Sequence, residues 1–177
     1  MQILPNNHYL NTHILHDCVQ LALKSTCHRS KCGSLIVANP SWFTALSPEL
    51  KENKCVFHDN TTVIGRGYNS MPCNVTGACV KDELPATFKS DRTCCVHAEQ
   101  RAIMAAIAHA PKLVEGSVLF FIRLNDQNQP TAAGAPYCSI CSKMALDAGL
   151  SYFCLYNGTN WVAYNTFEYN TLTFQYK

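Results

Sequence analysis

Residues 97–110 read HAEQRAIMAAIAHA, and Pro111 follows. Alanine and straight-chain residues dominate this stretch and a proline closes it, so it predicts the strongest helix of the chain. Downstream, Ser117 to Arg123 predicts a strand and the polar run Asn125 to Gly134 a loop. Ser139 to Ala148 predicts a second helix ended by Gly149, and Ser151 to Tyr156 another strand. Strands that alternate with helices favour parallel pairing with the helices packed on the sheet, which makes the class α/β.

Upstream, residues about 7 to 25 carry Leu10, Ile14, Leu15, Cys18, Val19, Ala22 and Leu23 on one helical stripe. Ser34 to Ala38 (SLIVA) predicts a buried strand and Thr61 to Tyr68 (TTVIGRGY) a second, the two forming a hairpin with a long connection. That connection, about 39–60, and the proline-interrupted stretch 69–95 are expected as loop insertions in a single domain spanning 1–177. The aromatic and asparagine-rich tail 161–177 fits one more strand or one more helix.

With 177 residues, 47% of them hydrophobic, the chain can bury a real core and is not a disordered polymer. Fourteen basic residues against twelve acidic ones leave a formal charge of +2, short of the excess expected of a dedicated duplex-DNA binder. The longest apolar stretches, such as Val118 to Ile122, are too short to span a bilayer, and the start MQILPNNHYL lacks the pattern of a signal peptide. The expected compartment is the cytosol, with no membrane partner.

Eleven cysteines in such a chain call for thiols that are reduced or hold metal, and the odd count argues against a closed disulfide framework. They cluster as Cys27 with Cys32, Cys73 with Cys79, Cys94 with Cys95, and Cys138 with Cys141. Cys18, Cys55 and Cys154 fit the simpler role of small buried hydrophobes.

His97 and Glu99 open one predicted helix, and Cys138-Ser139-Ile140-Cys141 opens the next. One imidazole and two thiolates at helix amino termini suit Zn²⁺, and three protein ligands leave the fourth tetrahedral position for water. Glu99, two residues beyond His97 in the first turn, can reach that water without being a ligand and fits a proton shuttle to it. A lone Cys-x-x-Cys also serves redox pairs and structural zinc, and a lone His-x-Glu is usually a polar helix start. Together, about 40 residues apart, they form the pattern of zinc-dependent base deaminases.

At these residues the sequence resembles the cytidine deaminase superfamily. Ser25-Thr26-Cys27-His28-Arg29-Ser30-Lys31-Cys32-Gly33-Ser34, Gly67-Tyr68-Asn69-Ser70-Met71-Pro72 and His97-Ala98-Glu99 are similar to its deoxycytidylate (dCMP) deaminase branch. The resemblance covers about residues 8 to 156 and implies a three-layer α/β sandwich, with a mixed five-stranded sheet and helices on both faces. It departs from the family at Tyr137, where a proline is usual, at Arg101, where an asparagine is usual, and at Ala108, where some members carry a phosphate-binding arginine.

The resemblance implies hydrolytic deamination of a small pyrimidine nucleotide, dCMP to dUMP and ammonia, by a homo-oligomer. Zinc is expected on His97, Cys138 and Cys141, with Glu99 as the catalytic residue. Asn69 would hold the sugar, and backbone near Ala98 and Ala135 would read the base; for Asn69, a plain turn residue is the competing role. Arg101, His109 and Lys112 are the candidates for phosphate, with Arg29 behind them. A second, structural zinc is implied at Cys27, Cys79, Cys94 and Cys95, with Cys73 or Cys32 as substitutes. A nucleoside, a free base or a polynucleotide stays open as substrate, as does a zinc-stabilised module without catalysis.

Overall fold

The computed structural model describes residues 1–4, 10–27, 29–38, 62–75 and 95–175. Its sheet is ordered β1-β7-β6-β4-β2-β3, with β5 attached to β4. The strands are β1 (Gln2–Ile3), β2 (Lys31–Val37), β3 (Val63–Tyr68), β4 (Val118–Leu124), β5 (Pro130–Thr131), β6 (Tyr152–Tyr156) and β7 (Trp161–Asn165). The helices are α1 (Leu15–Leu23, entered through a π turn at Leu10–Ile14), α2 (Ala98–His109), α3 (Ser139–Asp147) and α4 (Thr166–Thr173).

The pairing is mixed. β2 runs antiparallel to both β3 and β4, β4 and β6 are parallel, and β7 returns antiparallel to β6. β3, β4 and β6 therefore share one direction, as alternating strands and helices require, but β2 lies between β3 and β4. The expected hairpin of the first two long strands is present. The five-stranded expectation is corrected to seven: Gln2–Ile3 extends the edge at β7, and Pro130–Thr131 folds back on β4.

Alternation along β4 divides the core, because successive side chains of a strand point to opposite faces. Val118, Phe120, Ile122 and Leu124 pack with Leu10, Ile14, Cys18 and Ala22 on the α1 side. Leu119 and Phe121 face the other side, with Ala102, Ile103 and Ala106 of α2 and Ala145 of α3. Helices thus cover both faces, as expected of a three-layer sandwich.

Glycines set the distance of the helices. A Cβ on Gly67 would strike the main-chain oxygen of Ala98 and crowd the nitrogen of Ala102; one on Gly65 would strike the oxygen of Ala102. α2 therefore lies with its backbone directly on β3, a separation only glycine permits. The tail forms both of the elements it could form: β7, then α4, whose cap is Asn165 Oδ1 accepting from the Phe167 amide at 3.0 Å. Among the described residues, no helix is long and apolar enough to cross a membrane.

Candidate metal centre

His97 is the extended residue that precedes α2, where the Gln100 side chain accepts from its amide at 2.9 Å. Cys138 caps α3, its sulfur accepting from the Cys141 amide at 3.4 Å. These two helix starts converge. Nδ1 of His97 lies 3.3 Å from Sγ of Cys141 and 3.4 Å from Sγ of Cys138, and all three donor atoms fall within 4.8 Å of one another. Tetrahedral zinc with ordinary Zn–N and Zn–S bonds puts nitrogen and sulfur about 3.5 Å apart. The donor set and its spacing fit Zn²⁺.

The cysteines are electrostatically distinct. The Cys141 thiol donates to Cys138, which outweighs burial and, with His97 alongside, brings Cys138 down to about 4. Cys141, as that donor and a buried one, is held well above its ordinary value. A thiolate ready at neutral pH is what a metal requires.

Glu99, in the first turn of α2, is 6% exposed. Burial raises its carboxyl to about 7, with the thiolate of Cys138 adding to the rise and the His97 charge opposing it. A carboxyl that takes up and gives back a proton near neutrality is suited to shuttling one.

A cavity of about 300 Å³ opens onto this centre, at the small end of ordinary ligand sites. Among the residues expected at the site, Asn69, Ala98 and Ala135 line it together with His97, Cys138 and Glu99. The Asn69 amide is also committed to the preceding loop: Oδ1 accepts from Ser25 Oγ and the Cys32 amide, both at 2.8 Å, and Nδ2 donates to Ser30 O at 2.7 Å. It shapes the segment that carries Arg29, which is a cavity residue too.

The phosphate candidates on α2 are placed elsewhere. Arg101 donates to Met71 O at 2.7 Å and lies over the Tyr68 ring; His109 sits exposed at the end of α2, its Nδ1 at 2.8 Å from Ala105 O; Lys112 is exposed in the turn beyond. None of the three lines the cavity. Of the second zinc quartet, Cys27 and Cys95 line it, while Cys79 and Cys94 fall outside the described residues.

The cavity also contains residues that the sequence did not reveal, chiefly Arg123, Phe121, Leu155 and Tyr169. Tyr169 comes from α4, in the tail beyond the family resemblance. It is 3% exposed, and the main-chain N–H of Tyr137, next to Cys138, hydrogen-bonds to its phenol.

Among solved structures, the chain is similar to a cytidine deaminase from Burkholderia pseudomallei, with a TM-score of 0.51 and 12% identity, covering 89% of this chain and 94% of that one. It is also similar to the dCMP deaminase of cyanophage S-TIM5. The apo form gives a TM-score of 0.46 and 20% identity over 82% of this chain and 76% of that one. The complex with dCMP and dUMP gives 0.45 and 20% over 86% and 82%. No family model matches the sequence, and no curated protein does.

The class is therefore an α/β sandwich with a His-Cys-Cys donor set at two helix starts. More particularly, the chain has the cytidine deaminase fold, the one its sequence resembles.

Proposed function

We propose that the protein is a zinc-dependent hydrolase that deaminates a cytosine nucleotide, most directly dCMP to dUMP and ammonia. The observation that carries this is the buried carboxyl of Glu99 lining one cavity with His97 and Cys138, whose donor set Cys141 completes. A structural zinc site has no use for a buried proton carrier or for a cavity.

Zinc bound by His97, Cys138 and Cys141 would supply Lewis acidity, making water a nucleophile at neutral pH. Glu99 accepts one proton of the attacking water and donates it to N3 of the base, then takes the remaining proton from the new C4 hydroxyl and delivers it to the departing amine as the C4 carbonyl forms. Phe121, Leu155 and Tyr169 exclude solvent from that transfer. The main chain at Ala98 and Ala135, which line the cavity, would read the base edge, and Asn69 would hold the sugar as well as its own loop.

The proposal includes a homo-oligomeric assembly and a second zinc on Cys27, Cys79, Cys94 and Cys95. The common cavity position of Cys27 and Cys95 supports the latter. Light scattering and metal stoichiometry test these: about two zincs per chain, falling to about one in a Cys27→Ser, Cys79→Ser double variant, is expected of a closed four-cysteine site.

The main test is ammonia release from cytosine, cytidine, deoxycytidine, their monophosphates and a short single strand. Turnover of dCMP above deoxycytidine is expected. Release from none of them by zinc-loaded protein overturns the proposal.

A further inference from the structure

β4 outruns its neighbour on one side. Its parallel pairing with β6 ends at Phe121, and beyond that point β5 takes over the edge, with Arg123 opposite Thr131 and Leu124 opposite Pro130. On the other edge Arg123 stands opposite Cys32 of β2. The Lys31 ammonium donates to Asn128 Oδ1 at 2.7 Å and so ties the tip of this β4–β5 hairpin to β2.

The register decides where Arg123 points. Leu119, Phe121 and Arg123 share one face of β4, and directly paired residues such as Cys32 and Arg123 project to the same side. That side holds the metal donors, and Phe121, Cys32 and Arg123 all line the cavity. Glu99 and Arg123 thus line the same cavity as Cys32, with Arg123 on the exposed end of β4 and Glu99 buried.

The charges at the cavity mouth have one sign. Arg29 and Arg123 are the basic residues among the lining groups, and the single acid, Glu99, is buried at the floor. Among the described residues, the Arg123 guanidinium has no hydrogen-bond or ion-pair partner, although it sits in line with an inward-facing row. Arg123 lies roughly 7 Å along the strand from Phe121, a span comparable to the ribose between a base and its 5′-phosphate.

We propose that Arg123 binds the 5′-phosphate of a pyrimidine mononucleotide at the cavity mouth and thereby selects nucleotide over nucleoside. A planar guanidinium can hold a phosphate through two parallel hydrogen bonds, and Arg29, which lines the same cavity, adds positive charge. The proposal rests on the cytosine deaminase reading only for the identity of the base. The anion site follows from the hairpin.

The test uses zinc-loaded protein and the product pair dUMP and deoxyuridine, titrated by calorimetry without turnover. Parent protein should bind dUMP at least about ten-fold more tightly than deoxyuridine, and inorganic phosphate should compete with dUMP. Arg123→Gln should reduce the dUMP-to-deoxyuridine affinity ratio about ten-fold, and Arg123→Lys should retain part of it. An unchanged ratio in Arg123→Gln, or a parent that binds dUMP no better than deoxyuridine, overturns the proposal. A cytosine-containing single strand that binds more tightly than dUMP through Arg123 overturns it in favour of a polynucleotide. Ammonia release is scored separately: Arg123-dependent dUMP binding without deamination upholds the anion site and removes the enzyme, whereas deamination with Arg123-independent binding does the reverse.

Discussion

The ring of Tyr169 stacks on that of Phe153, with centroids 3.9 Å apart and planes 14° from parallel. Phe153 belongs to β6, so this contact fastens the tail helix to the sheet beneath the cavity. Tyr169→Ala should cost about 3 kcal/mol in urea unfolding, the range for removing a large buried aromatic. Tyr169→Phe keeps the stack, loses only the bond from Tyr137, and should fall well short of that loss. Equal losses would assign the stability to the hydroxyl.

Glu99→Gln should keep zinc while turnover falls at least about a hundred-fold, as expected when a general acid-base group is removed. Zinc analysis beside the dCMP assay reads both. Turnover near the parent level would remove Glu99 from the mechanism.

The same residue gives the metal-free protein a pH signature. Burial raises the Glu99 carboxyl from 4.5 to about 7, so its contribution to stability is fully present below 4.5 and is lost as pH rises through 7. The difference amounts to about 3 kcal/mol. Thermal melts of chelator-treated protein should show Glu99→Gln gaining on the parent between about pH 5 and about pH 8.5. A constant gap across that window would mean that the carboxyl is not held in its neutral form.

Cys138, brought down to about 4, is a thiolate in metal-free protein at mildly acid pH, whereas burial keeps Cys18 and Cys154 well above their ordinary values. Alkylation at about pH 6 followed by peptide mapping should therefore label Cys138 ahead of those two, and added zinc should protect it. Labelling of Cys18 or Cys154 first would contradict the assignment.

Gly67→Ala should cost more than about 2 kcal/mol, because main chain rather than a flexible side chain blocks the added methyl. Arg66→Ala, at the exposed neighbouring position, should change stability by less than about 0.5 kcal/mol. Denaturant midpoints of the two variants compare them directly.

The metal centre was legible because its donors come in two short motifs at helix starts, where local sequence determines both spacing and backbone. Arg123 was not. An arginine at the end of an apolar strand has no local mark, and only its register against Cys32 brings it to the cavity. Arg101 and His109 looked suitable on the helix that carries His97, but one is drawn to Met71 and the other lies at the far end. The strand expected to begin at Ser34 starts at Lys31, because Lys31 and Cys32 pair at the rim of the site without belonging to an apolar run. In the tail, Asn165 followed three residues later by Glu168 is a helix-start pattern that could have separated β7 from α4.

The place of β2 between β3 and β4 has a consequence for the order of assembly. His97 travels with α2 on β3, while Cys138 and Cys141 travel with α3 between β4 and β6, and among the described residues these two halves share no strand pairing except through β2. The long-range closure of β2 on both neighbours is an entropically expensive step of folding, and until it happens the three donors are not together. Zinc uptake by refolding protein should therefore track the completion of the central sheet, making the ion a reporter of the final folding event and a brake on its reversal.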